Sequence, residues 1–161
     1  MATDLGTNND DTLTNIGMGD EFFGYYGNDV IKGSNGDDTM YAGVGDDTLY
    51  GYYGNDSLDG GAGNDIIYGG EGNDYILGGQ GNDIVYAGNG NDTVYAGADN
   101  DSILGNDGDD YLDGGAGDDT IFSGNGKDTI YAQAGNDTID AGLGDDIVYA
   151  GNGNDITYAQ I

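Results

Sequence analysis

Residues 60 to 86 read GGAGNDIIY (60–68), GGEGNDYIL (69–77) and GGQGNDIVY (78–86), three nine-residue units in direct succession. Glycine at positions one, two and four permits backbone angles closed to other residues, and Asn or Asp tolerates turn conformations. Positions seven to nine are β-branched or aromatic, which suits a short strand. One unit therefore predicts six residues of turn followed by three of strand.

The same frame runs from Gly6 to Tyr158 without insertion, giving seventeen units with five residues before and three after. Position six is Asp throughout, and position eight is apolar from Leu13 to Val148, with Thr157 the exception. Position four is Gly in fourteen units and departs at Asn9, Met18 and Asp99. Around Gly17 to Phe23 the pattern fits better when shifted by one residue. Glu21 then takes the place of the key Asp and Phe23 faces inward. This is the irregular coil expected of a terminal repeat.

Alternation along each strand points position eight one way and positions seven and nine the other. Two units make one flattened coil of eighteen residues, with a strand on each side and a turn at each end. Stacked coils give an all-β parallel β-roll, a β-solenoid of two parallel sheets. Its length is roughly 40 Å at about 4.8 Å per coil. A single repeat domain spanning residues 1–161 is expected.

Composition narrows the function. Thirty-one acidic residues face two lysines, Lys32 and Lys127, for a formal charge of −29. That charge repels phosphate and anionic lipid, so neither nucleic acid nor membrane insertion is expected, and cations are the natural partners. Cysteine, histidine, proline and tryptophan are absent. Nothing here assembles a nucleophile with its base, and identical turns single out no one carboxylate pair, so a non-enzyme is expected. No apolar run is long enough to cross a bilayer as a helix. The N-terminus lacks the features of a cleaved signal peptide.

Two inward aliphatic side chains per coil are too few to offset ordering eighteen glycine-rich residues. Stacking also places one Asp above another at each coil step. A cation resolves both problems. Ca²⁺ accepts six to eight oxygens from carboxylates and carbonyls in flexible geometry, whereas Mg²⁺ insists on an octahedron. Transition metals want imidazole or thiolate, which this chain lacks. The candidate calcium ligands are Asp11, Asp29, Asp38, Asp47, Asp56, Asp65, Asp74, Asp83, Asp92, Asp101, Asp110, Asp119, Asp128, Asp137, Asp146 and Asp155. Asp20 and Glu21 are alternatives in the second unit. Nine turns on one edge leave eight gaps and eight on the other leave seven, so fifteen Ca²⁺ ions would bring +30 against −29.

These units resemble the repeats-in-toxin (RTX) nonapeptide, G-G-x-G-x-D-x-U-x. The resemblance covers nearly the whole chain. It implies a parallel β-roll, folding induced by calcium, and export in the unfolded state by a one-step secretion system. Family members that use this route usually end in a distinct non-repetitive segment, and here the repeats continue to the end. Lys127 beside Asp128 is expected to weaken that site. Asp99 requires left-handed backbone, and Tyr25-Tyr26 and Tyr52-Tyr53 place bulk in the turns.

Position nine carries Tyr41, Tyr50, Tyr68, Tyr86, Tyr95, Tyr131, Tyr149 and Tyr158, with Phe23, Phe122, Leu77 and Leu104. They face outward, either as ladders that stabilise stacked strands or as apolar stripes for a lateral interface. Neither terminus offers the polar cap a solenoid needs, which points to a fragment or to a block that stacks end to end. The expected role is an extracellular or cell-surface calcium-binding structural protein that assembles into fibres, a surface layer or an adhesin stalk. The alternatives are a calcium-responsive module of a larger secreted enzyme or toxin and, from Thr12, Thr39, Thr48, Thr93, Thr120, Thr129 and Thr138 at position seven, an ice-binding solenoid.

Overall fold

The computed structural model describes residues 3–14, 17 and 19–158. The Met18 departure and the end of the chain at 159–161 lie outside the described residues. The first strands are β1 (Thr3–Leu5), β2 (Thr12–Thr14), β3 (Glu21–Tyr26), β4 (Val30–Lys32), β5 (Thr39–Val44) and β6 (Thr48–Tyr53). The centre holds β7 (Ser57–Ala62), β8 (Ile66–Glu71), β9 (Tyr75–Gln80), β10 (Ile84–Asn89), β11 (Thr93–Ala98) and β12 (Ser102–Asp107). The last are β13 (Tyr111–Ala116), β14 (Thr120–Asn125), β15 (Thr129–Tyr131), β16 (Thr138–Asp140), β17 (Ile147–Tyr149) and β18 (Ile156–Tyr158).

Odd-numbered strands form one nine-stranded sheet and even-numbered strands the other, each in simple numerical order. All pairings are parallel with an offset of eighteen residues, as in Ile66↔Ile84 and Ile84↔Ser102. The fold is an all-β solenoid with two short strands per eighteen-residue coil. Strand β1 precedes the first repeat and still pairs in phase, with Thr3 opposite Glu21. Periodicity gave no sign of it, because Thr3–Leu5 lacks the glycine–aspartate half of a unit.

The strands are longer than the sequence predicts, which corrects the division into six turn and three strand residues. In the central coils a strand occupies positions seven to nine and continues through positions one to three of the next unit, as in β8. Only positions four to six remain as turn. Pairing skips position one, so that Gly61 meets Gly79 and Ala62 meets Gln80 while Gly60 and Gly78 mark a corner. Glycine composition argues for turns, but parallel stacking supplies a partner strand for the backbone on both sides of this corner. Tyr25 and Tyr52 accordingly sit in strands, not turns. Each lies near an aromatic neighbour, Phe23 at 6.1 Å and Tyr50 at 5.8 Å.

The register of the second unit is also corrected. Phe22, not Phe23, is fully buried, and it pairs with Met40, while Phe23 stacks outside on Tyr41. Asp20 therefore keeps the sixth position and Glu21 begins strand β3. Shifting this coil by one would turn Phe22 out and break its place in the core column, which is why the frame holds.

The core is one column of position-eight side chains running from Leu13 through Ile67, Ile76 and Val85 to Ile139. Position one also points inward, and among the described residues its occupants are Gly, Ala or Ser123, with Ala87 and Ala96 fully buried. Small residues are required there, because the corner brings the next coil's backbone close.

Truncating Ile76 to Ala should cost about 2–5 kcal/mol in calcium-saturated protein, as for other fully buried aliphatic side chains. The outward Thr120→Ala change should cost under about 0.5 kcal/mol. Denaturant unfolding followed by far-ultraviolet circular dichroism separates the two.

Candidate metal centre: the stacked turns

Period-two alternation carries the inward side from positions eight and one back to position six. The Asp side chains therefore point into the roll. Asp29, Asp38, Asp47, Asp56, Asp65, Asp74, Asp83, Asp92, Asp101, Asp110, Asp119, Asp128 and Asp137 are all buried, as is Asp20. Asp11, Asp146 and Asp155 at the two ends are half-buried.

Each column is built by one repeated contact. The backbone N–H of Asp47 donates to Oδ1 of Asp65 at 2.8 Å, and that of Asp65 donates to Oδ1 of Asp83 at 2.8 Å. The same link joins Asp56 to Asp74 and Asp74 to Asp92 on the opposite edge. It continues to Asp146 and Asp155, which accept from Asp128 and Asp137. A second ladder lies outside, at position five. There Asn64 Oδ1 accepts from the N–H of Asn82 and Asn73 Oδ1 from that of Asn91. It runs in the opposite sense, so each turn is tied to its neighbours above and below.

Lys127 interrupts this outer ladder, since an ammonium accepts no hydrogen bond. Its Nζ is exposed and lies 3.9 Å from Asp145. The charge thus faces the outer ladder, not the buried carboxylate of Asp128. Asp99 takes the left-handed conformation its turn requires, with φ 78°.

In most of these carboxylates one oxygen accounts for the neighbouring coil, and the other is left over. The Oδ2 atoms of Asp47, Asp56, Asp65, Asp74, Asp83, Asp92, Asp101, Asp110 and Asp119 are buried and accept no hydrogen bond from the protein. Leaving a buried carboxylate oxygen without a donor or cation is costly. Backbone carbonyls crowd the same space. A methyl group on Gly78 would fall 2.6 Å from Asp83 Oδ2 and 2.5 Å from the carbonyl oxygen of Ala96. Carbonyls of Gly43 and Gly45 similarly press on Gly61 and Gly63 in the coil above.

Burial, opposed only in part by the amide hydrogen bond from the preceding Asp, drives these carboxyls upward. Asp56, Asp65 and Asp92 rise to about 7 and Asp101 to about 8, helped by the charges of neighbouring Asp residues. Asp47, Asp74, Asp83, Asp110 and Asp119 rise to about 6.

No group of three acidic side chains converges among the described residues. A cation here must draw mainly on carbonyl oxygens, with the carboxylates supplying charge. That donor set fits calcium, which tolerates mixed carbonyl and carboxylate shells of variable number. Calcium would supply the positive charge that the buried Oδ2 atoms lack among the described residues.

A family model of the RTX calcium-binding nonapeptide repeat matches in four copies, over residues 17–49, 50–85, 86–121 and 122–156. Comparison with curated proteins finds no match.

The pH response follows in sign. Carboxyls near 3.9 in the unfolded chain and near 6–8 in the metal-free roll cost the roll stability as pH rises through that window; below about pH 4 the cost is absent. Calcium-depleted protein should therefore gain strand signal on acidification. Calcium must displace those protons, so its affinity should fall on the order of tenfold per pH unit below each carboxyl's value. Calcium titrations across this window check both directions.

Proposed function

Because the chain belongs to the RTX calcium-binding nonapeptide repeat family, we propose that it is an extracellular structural module, one domain in extent. Calcium bound between stacked turns at the position-six aspartates makes it a rod, and the rod associates laterally through its sheet faces. Its role on this reading is assembly, in a fibre, surface layer or adhesin stalk, and not catalysis.

One observation carries the assembly reading. The outer face of the odd-numbered sheet holds a continuous row of rings: Tyr75, Tyr95, Tyr111, Tyr131 and Tyr149. Successive centroids lie 6.0, 5.5, 5.5 and 4.6 Å apart. The even-numbered sheet carries its own stack, with Tyr50–Tyr68 at 4.9 Å and Tyr68–Tyr86 at 4.8 Å. Tyr75, Tyr95, Ile84 and Phe122 are all exposed. Ladder stacking would stabilise the coils with the rings on a single sheet. Apolar rows on both faces of a thin rod at a charge of −29 instead resemble two lateral interfaces, usable once calcium has cancelled the repulsion.

Sedimentation velocity should show large species in millimolar calcium that disappear on chelation, and smaller ones for Tyr75→Ser/Tyr95→Ser at the same calcium level. A wild-type chain that stays strictly monomeric while folded with calcium would refute the assembly role.

A further inference from the structure

Among the described residues, two turns stand out in how position two meets their aspartate. The Oδ2 atoms of Asp11 and Asp38 accept hydrogen bonds from the residue at position two of their own turn. The N–H of Ser34 donates to Asp38 Oδ2 at 2.8 Å, while the amide of Asp20 donates to Oδ1 at 2.7 Å. The Ser34 hydroxyl is bonded across the gap to the Gly17 carbonyl at 2.5 Å. At the first turn, Thr7 donates to Asp11 Oδ2 through its N–H at 2.6 Å and its hydroxyl at 2.9 Å.

The cause is position two. That residue is left-handed at every turn from Asp47 to Asp137 whose aspartate keeps a buried Oδ2 with no protein donor, and at that of Asp29. Glycine usually supplies the conformation, as at Gly61 with φ 99°. A side chain does not by itself prevent it. Tyr25, Tyr52, Asn106 and Gln133 adopt φ between 74° and 78°, and Oδ2 of Asp29, Asp56, Asp110 and Asp137 accepts nothing. Thr7 and Ser34 stay out of the left-handed region. A hydroxyl side chain offers local hydrogen bonds that compete for the backbone, and a branched Cβ opposes positive φ. Their N–H then swings onto the carboxylate.

The Asp38 turn carries a further obstruction. The terminal methyl of Met40 reaches the same corner, 2.7 Å from where a Cβ on Gly33 would lie. An apolar group thus crowds in beside the carboxylate and the Gly51 carbonyl that line this corner.

We propose that residue two selects which turns take calcium, and that the Asp38 turn, like that of Asp11, is closed by the protein's own donors and binds none. This rests on the reading that the other turns hold calcium. Ser34 stands one coil inside the fold, so the chain keeps a metal-independent turn on one edge beside metal-dependent neighbours such as that of Asp56. The calcium load is then smaller than the number of stacked gaps.

Native mass spectrometry or equilibrium dialysis with calcium, on the full chain at saturation, counts the ions. Asp38→Asn should leave the count unchanged, whereas Asp56→Asn should lower it by at least one. Ser34→Gly restores the left-handed conformation and should raise the count by one, which keeps the test decisive if Asp38→Asn folds poorly. A drop on Asp38→Asn equal to that on Asp56→Asn, or no gain on Ser34→Gly, overturns the proposal and leaves the calcium reading standing. No calcium bound by wild type, or no loss on Asp56→Asn, would instead defeat the calcium reading itself.

Discussion

Everything in this roll depends on a carboxylate that is buried twice over. Position six shares the inward side with the aliphatic column at position eight, so every such Asp from Asp20 to Asp137 is withdrawn from water as thoroughly as an isoleucine. One oxygen ties the coil before it through a backbone amide. The other shares its corner with a carbonyl from the next coil, the negative end of a dipole. A protein that stacks such groups at every coil has placed its largest electrostatic cost at its most repeated position. Hydrophobic burial is too thin to offset it, since each unit contributes one large apolar side chain and one small residue at the corner. Protons answer the cost in part, through carboxyls raised toward neutrality. A divalent cation would answer it more completely.

The same constraint explains the glycines. They are where one coil's carbonyls press against the next, and several corners have no room for a methyl group. The small inward position one, the left-handed position two and the tight position four all serve a single requirement, that two backbones approach closely enough for oxygens from both to face one point. Residues that escape this requirement are free to vary. They are the outward positions three, seven and nine, and there the tyrosine rows have accumulated.

Much of this was legible in the repeat itself. A nine-residue period with inward aliphatics predicts the paired parallel sheets, and an invariant Asp after glycine-rich residues predicts an oxygen site for a hard cation. Other features were not legible, for physical reasons. Glycine propensity argued for long turns at residues such as Gly69–Gly70, because propensity cannot register hydrogen bonds supplied by a neighbouring coil. Adjacent Phe22 and Phe23 made a register shifted by one residue look the better fit, until the continuous core column selected the unshifted one. Thr3–Leu5 carries no repeat signature, yet stacking on Glu21–Phe23 recruits it. The special character of Asp11 and Asp38 was visible only as hydroxyl residues at Thr7 and Ser34, and needed backbone geometry to acquire meaning.

The central claim is that the buried aspartate columns make the fold conditional on calcium at neutral pH. Far-ultraviolet circular dichroism of the full chain near pH 7.5, recorded during calcium titration of thoroughly depleted protein, tests it most directly. A disordered spectrum that converts to strand as calcium is added is the predicted result. A strand spectrum already complete in depleted protein, and unchanged by calcium, would contradict the account.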